Sequence, residues 1–311
     1  MPKTVALFAR EDDLIAARME ELLVARGAIP LRVAFGRMAA GAPALFDGER
    51  FVVEGRDLCD VDAYLLRHYP SESALLSADP SSTLSAAEWW QRGVQQKERS
   101  HFAQSALMAL DLANKRAVNA HLKSAPFDLK PLQLLAFTKA GLPIPKTLIT
   151  NDPDEARAFH RDVGEVIAKP AAGGAETRVL DEALLSRLDA IRSAPAIFQE
   201  RVRGPDIRVT VVDGRVVSAV EIPTEEVDYR ADAAYREGFQ EYLRHPLSDD
   251  VVAMCVKAAE VCHHVLSGID LKRRSDGSYA ILEANSAPVY LDIERKTGAP
   301  ISEAIADYLL T

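Results

Sequence analysis

The segment that decides the fold is GIDLKRRSDGSYAILEAN, residues 268–285. The dipeptide Asp276-Gly277 is typical of a two-residue type I′ hairpin turn. Counting outward from that turn places Asp270 directly opposite Glu283, with Asn285 two residues further along the same face. The alternate positions are apolar, so the other face of the hairpin is predicted to pack on a core. These apolar positions are Ile269, Leu271, Leu282 and Ala284.

Two carboxylates that face each other on a sheet repel unless a cation lies between them. Asp270, Glu283 and Asn285 offer three hard oxygen ligands, which suit magnesium and leave coordination positions for water and phosphate oxygens. The hairpin therefore predicts a magnesium site. A solvated acidic face without an ion is the alternative that the hairpin alone leaves open.

Composition and charge argue against several classes of protein. The chain has 311 residues, of which 48% are hydrophobic and 27% charged, enough for two or three compact lobes. A formal charge of -9 argues against a nucleic-acid partner, because phosphate backbones are bound by clustered Lys and Arg. The three cysteines show no zinc-ligand spacing. With no signal sequence or membrane-length apolar stretch, we expect a cytoplasmic protein without a membrane partner.

Periodicity predicts alternating strands and helices. Strand-like segments at 4–8, 31–34 and 61–66, with a helical pattern at 12–26, indicate a small parallel-sheet lobe. A polar, proline-containing stretch near 124–126 predicts a linker. Further predicted elements are helices at 81–112, 130–140, 152–163, 181–192 and 249–266, an edge strand before Asn151, strands at 165–170, 177–180 and 196–200, and hairpins at 206–222 and 268–284.

Several residues follow one another along the chain in an order that resembles that of ATP-grasp proteins. They are Lys130, Lys169-Pro170, a glycine-containing loop, Phe198-Gln199-Glu200, the segment 204–208, Asp270 and Glu283-Ala284-Asn285. The lobe before them resembles the pre-ATP-grasp domain. The resemblance implies an α/β (α+β) ATP-grasp fold with an N-terminal pre-ATP-grasp α/β lobe. Its parts would be an N-terminal domain at 1–115, a central ATP-grasp subdomain at 126–198 and a C-terminal subdomain with the metal site at 199–311.

The resemblance implies that five residues surround the phosphates of ATP. Lys130 and Lys169 would place ammonium groups on the α- and β-phosphates, since a compact charge offsets phosphate repulsion. Backbone amides of the loop at Gly173 and Gly174 would close over the triphosphate. Arg208 would stabilise the phosphoryl group in transfer, so Arg208 and Lys169 are expected to be catalytic. Surface lysines and a plain glycine turn are the alternatives.

The resemblance also implies a site for adenine and ribose. Gln199, Glu200 and Val202 belong to the linker whose backbone would read adenine. Asp206 would accept the ribose hydroxyls, with turn capping as its alternative role.

Two arginines have expected partners. A two-residue turn at Asp213-Gly214 would place Glu221 diagonal to Arg208, where the two could form a structural ion pair. Arg230 is the candidate for binding a substrate carboxylate, because its planar fork can bind one bidentately. It is therefore grouped with the catalytic residues.

Further segments look most like the peptide-crosslinking ATP-grasp ligases of the microviridin or graspetide type. Such enzymes phosphorylate an acidic side chain of a ribosomal precursor peptide, and a hydroxyl or amine then forms an ester or amide. The resemblance implies ATP and Mg²⁺ as cofactors and a peptide or amino-acid substrate. Residues 286–289 depart from that pattern, which leaves the substrate open. The segments are 134–153, 198–200, 206–212, 228–230 and 293–302.

Alternatives remain for substrate, activity and assembly. Ribosomal-protein glutamate ligases and glutathione synthases share the same core, so a free amino acid or small peptide is the alternative substrate. A non-catalytic ATP- and peptide-binding protein and an acid-peptide kinase belong to other classes. The full set of phosphate and metal residues favours catalysis. A homodimer is kept open, because the sequence does not determine the oligomeric state.

Overall fold

The computed structural model describes residues 1–68, 85–172, 177–224, 226–227 and 232–311. The chain divides into two compact units, Met1–Ser124 with Ser302–Thr311, and Ala125–Ile301. Each helix in the described ranges is too short or too polar to cross a lipid bilayer. The three domains expected at 1–115, 126–198 and 199–311 stay a prediction.

The first unit contains a four-stranded parallel sheet in the order β2-β1-β6-β7. Helix α1 begins where the Asp13 carboxylate accepts a hydrogen bond from Ala16 N at 2.8 Å. Phe8 and Tyr64 pack edge to face in the core, against buried residues of α2 such as Leu107. The predicted strand-helix-strand lobe is confirmed. The elements are β1 (Thr4–Phe8), α1 (Leu14–Ala25), β2 (Ile29–Val33), β3 (Ala44–Phe46), β4 (Phe51–Val53), β5 (Arg56–Asp57), β6 (Ala63–Leu66), α2 (Ala86–Leu112), β7 (Arg116–Val118) and α3 (His121–Ser124).

The second unit begins with a helix and an antiparallel sheet in the order β10-β9-β11-β8. Strand β8 lies at an edge, as Pro143 and Pro145 before it predict. The helix predicted at 181–192 is a single α-turn followed by a 3₁₀ helix at Leu188–Ser193. The elements are α4 (Lys130–Lys139), β8 (Thr147–Thr150), α5 (Pro153–Val163), β9 (Val166–Pro170), β10 (Arg178–Val179), α6 (Glu182–Leu185) and β11 (Ala196–Glu200).

The same unit continues with a five-stranded antiparallel sheet in the order β14-β13-β12-β15-β16. Side chains on one face, including Val209, Ile269 and Leu271, form a core with Cys255 and Ala258 of α8. This burial leaves the other face for polar residues. The elements are β12 (Asp206–Val212), β13 (Arg215–Ile222), α7 (Ala233–Arg236), β14 (Leu243–Arg244), α8 (Asp249–Val261), β15 (Leu266–Arg273), β16 (Tyr279–Asn285) and α9 (Leu291–Thr297). The last helix, α10 (Ile301–Leu310), belongs to the first unit from Ser302 onward.

Candidate active site

One face of the five-stranded sheet carries charged side chains on β12, β15 and β16. Arg208 lies opposite Asp270 across β12 and β15, and Asp270 lies opposite Glu283 across β15 and β16. Because side chains alternate between the faces of a strand, residues two positions away share this face. We call this surface the polar face. Its members are Asp206, Arg208, Asp270, Lys272, Glu283 and Asn285.

The three predicted magnesium ligands meet on the polar face. Asn285 donates from Nδ2 to Asp270 Oδ2 at 3.1 Å and to Glu283 Oε1 at 2.9 Å. Asp270 is 9% exposed, whereas the other two are half-buried. One hydrogen-bonded cluster therefore holds two opposed carboxylates and an amide. Their role as metal ligands stays a prediction.

The loop of this hairpin differs from the sequence prediction. Arg274 N donates to Ser278 O at 2.7 Å, so the loop closes between these two residues. It is one residue longer than the two-residue turn expected at Asp276-Gly277. Taken alone, the longer loop would move Glu283 out of register with Asp270.

A β-bulge between Asp270 and Leu271 restores that register. Leu271 pairs with Ile281, whereas Asp270 pairs with Glu283, so Leu282 is the extra residue. Ile281 is fully buried in the core, and Leu282 is only half-buried. The prediction that Leu282 lies on the core face is therefore wrong, while the predicted pairing of the two acids is correct.

Lys130, the first residue of α4, contacts Glu283. Its Nζ lies 2.5 Å from Glu283 Oε2, and the two side chains are 22% and 12% exposed. Burial alone raises the pKa of the Glu283 carboxyl. The Lys130 charge and hydrogen bond, the Asn285 hydrogen bond and the Lys169 charge outweigh burial and hold that pKa well below its usual range. Glu283 is therefore ionised beside a compact cation.

Arg208 forms a buried ion pair that the sequence did not predict. Its Nε lies 2.6 Å from Asp270 Oδ1, and its Nη2 donates to Asp270 Oδ2 at 3.1 Å. The predicted diagonal contact with Glu221 is wrong, because a bulge at Val217 of β13 shifts the pairing with β12 by one residue. Glu221 instead lies opposite Ile207, with its Oε2 3.4 Å from His245 Nδ1. A one-residue shift exchanges the two faces of a strand.

The residues expected to read adenine and ribose lie at the end of β11 and the start of β12. Asp206 is 9% exposed, and its Oδ2 lies 2.7 Å from Lys272 Nζ. Gln199 is buried and donates from Nε2 to Thr147 Oγ1 at 2.8 Å. Val202 is buried as well. Only Asp206 of these residues lies on the polar face.

Glu200 is engaged within the protein. A hydrogen bond from Arg274 lowers the pKa of the Glu200 carboxyl, and Lys146 N donates to its Oε2 at 3.1 Å. These bonds hold the end of β11 beside the hairpin loop. A part for Glu200 in nucleotide binding stays a prediction.

Of the remaining predicted site residues, the structure describes Lys169. Lys169 lies in β9 opposite Ile197 and is half-buried, and its charge acts on Glu283 together with that of Lys130. The predictions for Gly173, Gly174 and Arg230 lie outside the described residues.

Two site residues were missed by sequence reasoning. Lys272 follows Asp270 by two positions on β15, so strand alternation could have identified it. Gly268 gives no such signal. A Cβ atom there would lie 2.6 Å from Arg208 Nη1 and 2.7 Å from Pro288 Cβ, so only glycine leaves room for the guanidinium.

The donor set of the polar face fits magnesium. Within the described ranges, no group of three or more His, Cys, Asp or Glu side chains could hold a metal ion. Two carboxylates and an amide are too few for a protein-only metal cage. They suit Mg²⁺, which binds through one or two carboxylates and completes its shell with water and substrate phosphates. Cations beside them, Lys130 and Arg208, fit the charge that develops in phosphoryl transfer.

Solved structures resemble the whole chain. The ATP-grasp ligase PsnB complexed with minimal precursor matches with a TM-score of 0.84 and 31% identity, covering 99% of this chain and 98% of that chain. PsnB with minimal precursor, Mg and ADP matches with a TM-score of 0.82 and 31% identity, covering 98% and 96%. The macrocyclase MdnC from Microcystis aeruginosa MRC, bound with precursor peptide MdnA, shares the fold, with a TM-score of 0.81 and 19% identity over 99% of each chain.

Sequence comparisons agree with the structural ones. The RimK-like ATP-grasp domain matches residues 127–309. A probable alpha-L-glutamate ligase of Teredinibacter turnerae is 31% identical over 193 residues, 58% of this chain and 62% of the relative. Its counterpart in Klebsiella pneumoniae is 28% identical over 226 residues, 68% and 72% of the two chains. The match thus spans 62% of the length of the first relative.

The two sheets of the second unit, with a charged face on the larger one, define the ATP-grasp class of protein. Within that class, the chain belongs to the family of ATP-grasp ligases with a RimK-like domain. The predicted fold and the predicted resemblance to peptide ligases and glutamate ligases are confirmed. ATP-grasp ligases use ATP and Mg²⁺, in agreement with the predicted cofactors.

Proposed function

We propose that this chain is an ATP-dependent ligase that activates acidic side chains of a ribosomal precursor peptide as acyl phosphates and joins them to an amine or a hydroxyl. The observation that carries the proposal is the match to PsnB over 99% of this chain at 31% identity. That match extends beyond the RimK-like domain into the first unit. PsnB is an ATP-grasp ligase that has also been solved in complex with the precursor peptide PsnA2, so a peptide substrate is the one that the likeness favours.

The polar face supplies residues for the phosphoryl transfer. Asp270, Glu283 and Asn285 would hold Mg²⁺, which shields phosphate charge and orients the phosphate oxygens when bound. Lys130 and Lys169 would bind phosphate oxygens, as compact cations do. The Arg208 guanidinium, already placed against Asp270, would stabilise charge on the phosphoryl group in transfer.

The reaction would proceed in two displacement steps. A substrate carboxylate oxygen attacks the γ-phosphorus of ATP, the bond from that phosphorus to the ADP oxygen breaks, and an acyl phosphate forms. An amine or hydroxyl then attacks the acyl carbon, and the bond between that carbon and the phosphate oxygen breaks. The proton of the nucleophile passes to the leaving phosphate or to water. Cations on the polar face favour the first step, in which phosphoryl charge moves between oxygens.

The test uses the full chain with ATP, Mg²⁺ and a panel of acidic peptides rich in Ser, Thr and Lys. Ligation predicts release of one phosphate, and loss of one water from the peptide mass, for each bond formed. Hydroxylamine should trap the acyl phosphate as a hydroxamate. A stable phosphopeptide without water loss would identify a kinase, and peptide binding without ADP formation would identify a binding protein. Either of these outcomes would refute the proposal.

Glutamate ligation is the second candidate. It is favoured by the 31% identity to a probable alpha-L-glutamate ligase over 193 residues. In the same assay, free glutamate would then be added to an acceptor and raise its mass by one glutamyl residue. Addition of glutamate with no peptide crosslink would decide for this candidate.

The proposal includes the cellular location and the oligomeric state of the enzyme. We place the enzyme in the cytoplasm, where ATP and Mg²⁺ are supplied, without a nucleic-acid partner. Light scattering of the purified chain will distinguish a monomer from a homodimer. Limited proteolysis between residues 115 and 126 tests the predicted N-terminal domain boundary.

A further inference from the structure

Gln133 makes a strand-like contact with β16. This residue of α4 is 1% exposed. Its Nε2 donates to Ala284 O at 2.7 Å, and Ala284 N donates to its Oε1 at 3.1 Å. The same Nε2 donates to Phe127 O at 2.8 Å. The side-chain amide thus pairs with Ala284 as the backbone of a neighbouring strand would.

The position of this contact matters because β16 is an edge strand. Backbone groups of successive residues in a strand point alternately toward its two neighbours, so the outward groups of an edge need other partners. Ala284 lies between Glu283 and Asn285, two of the proposed magnesium ligands. Gln133 therefore holds the backbone at the point from which both side chains project.

A second hydrogen bond to the outward-facing edge of β16 lies on the other side of the bulge. Ile281 N donates to Pro143 O at 2.8 Å. The extra residue, Leu282, lies between Ile281 and Ala284, so the contacts from Pro143 and Gln133 bracket the bulge. Without the bulge, β16 would pair one residue out of step, and Glu283 would lie on the core face.

The segment that carries Gln133 contacts β16 and the residues after it at two further points. Lys130 Nζ lies 2.5 Å from Glu283 Oε2. Ser286 Oγ donates to Asp128 Oδ1 at 2.7 Å. Lys130 and Asp128 bond to side chains, whereas Gln133 bonds to the backbone of β16. The contact between Gln133 and β16 therefore does not depend on the charge of a side chain at the site.

We propose that Gln133 is a positioning residue for the magnesium site. By fixing the backbone of Ala284 and the bulge before it, Gln133 aims Glu283 and Asn285 at the ion without touching it. This inference rests on the proposed function, since it requires a magnesium nucleotide at the polar face. Removing such outer partners of metal ligands commonly weakens metal binding by roughly 10–100-fold.

The test measures ADP binding by calorimetry over a range of Mg²⁺ concentrations, without peptide or turnover. Gln133→Met keeps the side-chain length but removes all three hydrogen bonds. It should raise the Mg²⁺ concentration that half-saturates ADP binding by roughly 10–100-fold. Gln133→Asn keeps the amide on a shorter stem that cannot bridge the same atoms, and it should shift the same midpoint if the first variant does not fold.

Gln240→Met is the matched control. Gln240 is 2% exposed and donates to Pro223 O at 3.0 Å and Glu241 O at 3.1 Å, away from the proposed ligands in sequence. Its Mg²⁺ midpoint should equal that of the wild type, although its melting temperature falls.

Three outcomes would count against the inference. A wild-type Mg²⁺ midpoint in folded Gln133→Met or Gln133→Asn would overturn it. Equal loss of ADP affinity at every Mg²⁺ concentration would overturn it too, since it would indicate a general structural defect. If the wild type shows no Mg²⁺-dependent ADP binding, or if Glu283→Gln leaves that dependence unchanged, the proposed function fails first and the inference fails with it.

Discussion

A Glu283→Gln substitution removes the charge of the proposed central magnesium ligand while keeping the shape of its side chain. The structure places Glu283 Oε2 2.5 Å from Lys130 Nζ and Oε1 2.9 Å from Asn285 Nδ2. Glutamine has a single acceptor oxygen, so it keeps only one of these two hydrogen bonds and turns an amide NH2 toward the other donor. The experiment therefore separates the charge of this residue from its packing.

The expected loss of stability is small compared with the electrostatic attraction between Glu283 and Lys130. Two unit charges 2.5 Å apart attract by roughly 7 kcal/mol at an effective dielectric constant of about 20. Burial of the Glu283 carboxylate opposes most of this gain. Because glutamine keeps one of the two hydrogen bonds and loses the other together with the ion pair, we expect the free energy of unfolding to fall by about 1–3 kcal/mol.

The expected loss of activity is larger. With one of two carboxylates neutral, the ion is held less tightly and the phosphoryl group in transfer is stabilised less. A transition-state loss of about 3 kcal/mol or more corresponds to a drop in kcat/KM of roughly 100-fold or more. Phosphate release measures the activity, and urea unfolding of the same preparation measures the stability. Wild-type turnover in folded Glu283→Gln would refute the metal-site assignment, and Asp270→Asn should repeat the loss.

Other substitutions test separate parts of the site and the fold. Asp206→Asn should raise the KM for ATP roughly tenfold and abolish the preference for ATP over 2′-deoxyATP, because a charged acceptor for the ribose hydroxyls is lost. Gly268→Ala should displace the Arg208 guanidinium, which lies 2.6 Å from the new Cβ, and lower kcat with a stability loss of about 1–3 kcal/mol. His264→Gln should reduce the pH dependence of the free energy of unfolding. Burial lowers the pKa of His264 to about 4 from 6.5, so the neutral ring contributes stability above pH 6.5 that is lost as pH falls toward 4. Between pH 8 and pH 5 the wild type should lose about 2 kcal/mol more than this variant in urea unfolding.

Each of these predictions has a control or a contrary result. An unchanged preference between the two nucleotides in Asp206→Asn would remove Asp206 from the ribose site. Gly36→Ala adds a Cβ with no atom within 4 Å and should leave both kcat and stability unchanged, in contrast to Gly268→Ala. Equal acid sensitivity of His264→Gln and wild type would show that other groups control unfolding in this pH range.

Local patterns in the sequence predicted most of the secondary structure. Residues 4–8 and 196–200 are strands as expected, and both predicted hairpins are present. Alternation along a strand and helical spacing of apolar residues depend only on near neighbours, so a single sequence reveals them. The same patterns placed Asp270 opposite Glu283, although the predicted loop was one residue too short.

The order of chemically suited residues also identified the family. Two lysines, an arginine and an acidic hairpin, in that order, resemble ATP-grasp ligases, and the RimK-like match at 127–309 confirms the family. Residue types and their sequence spacing carry this information. They do not state which of the residues contact one another.

Tertiary structure alone decided those contacts. The bulges in β13 and β16 determine that Arg208 meets Asp270 rather than Glu221, and that Leu282 leaves the core face. The two hydrogen bonds between Gln133 and Ala284 join residues 151 positions apart in the sequence. A bulge depends on packing and outer contacts of the whole sheet, and such contacts bring together residues that no local periodicity links. For that reason the sequence by itself determined the elements and the chemistry of this protein, whereas its fold determined the register in which they meet.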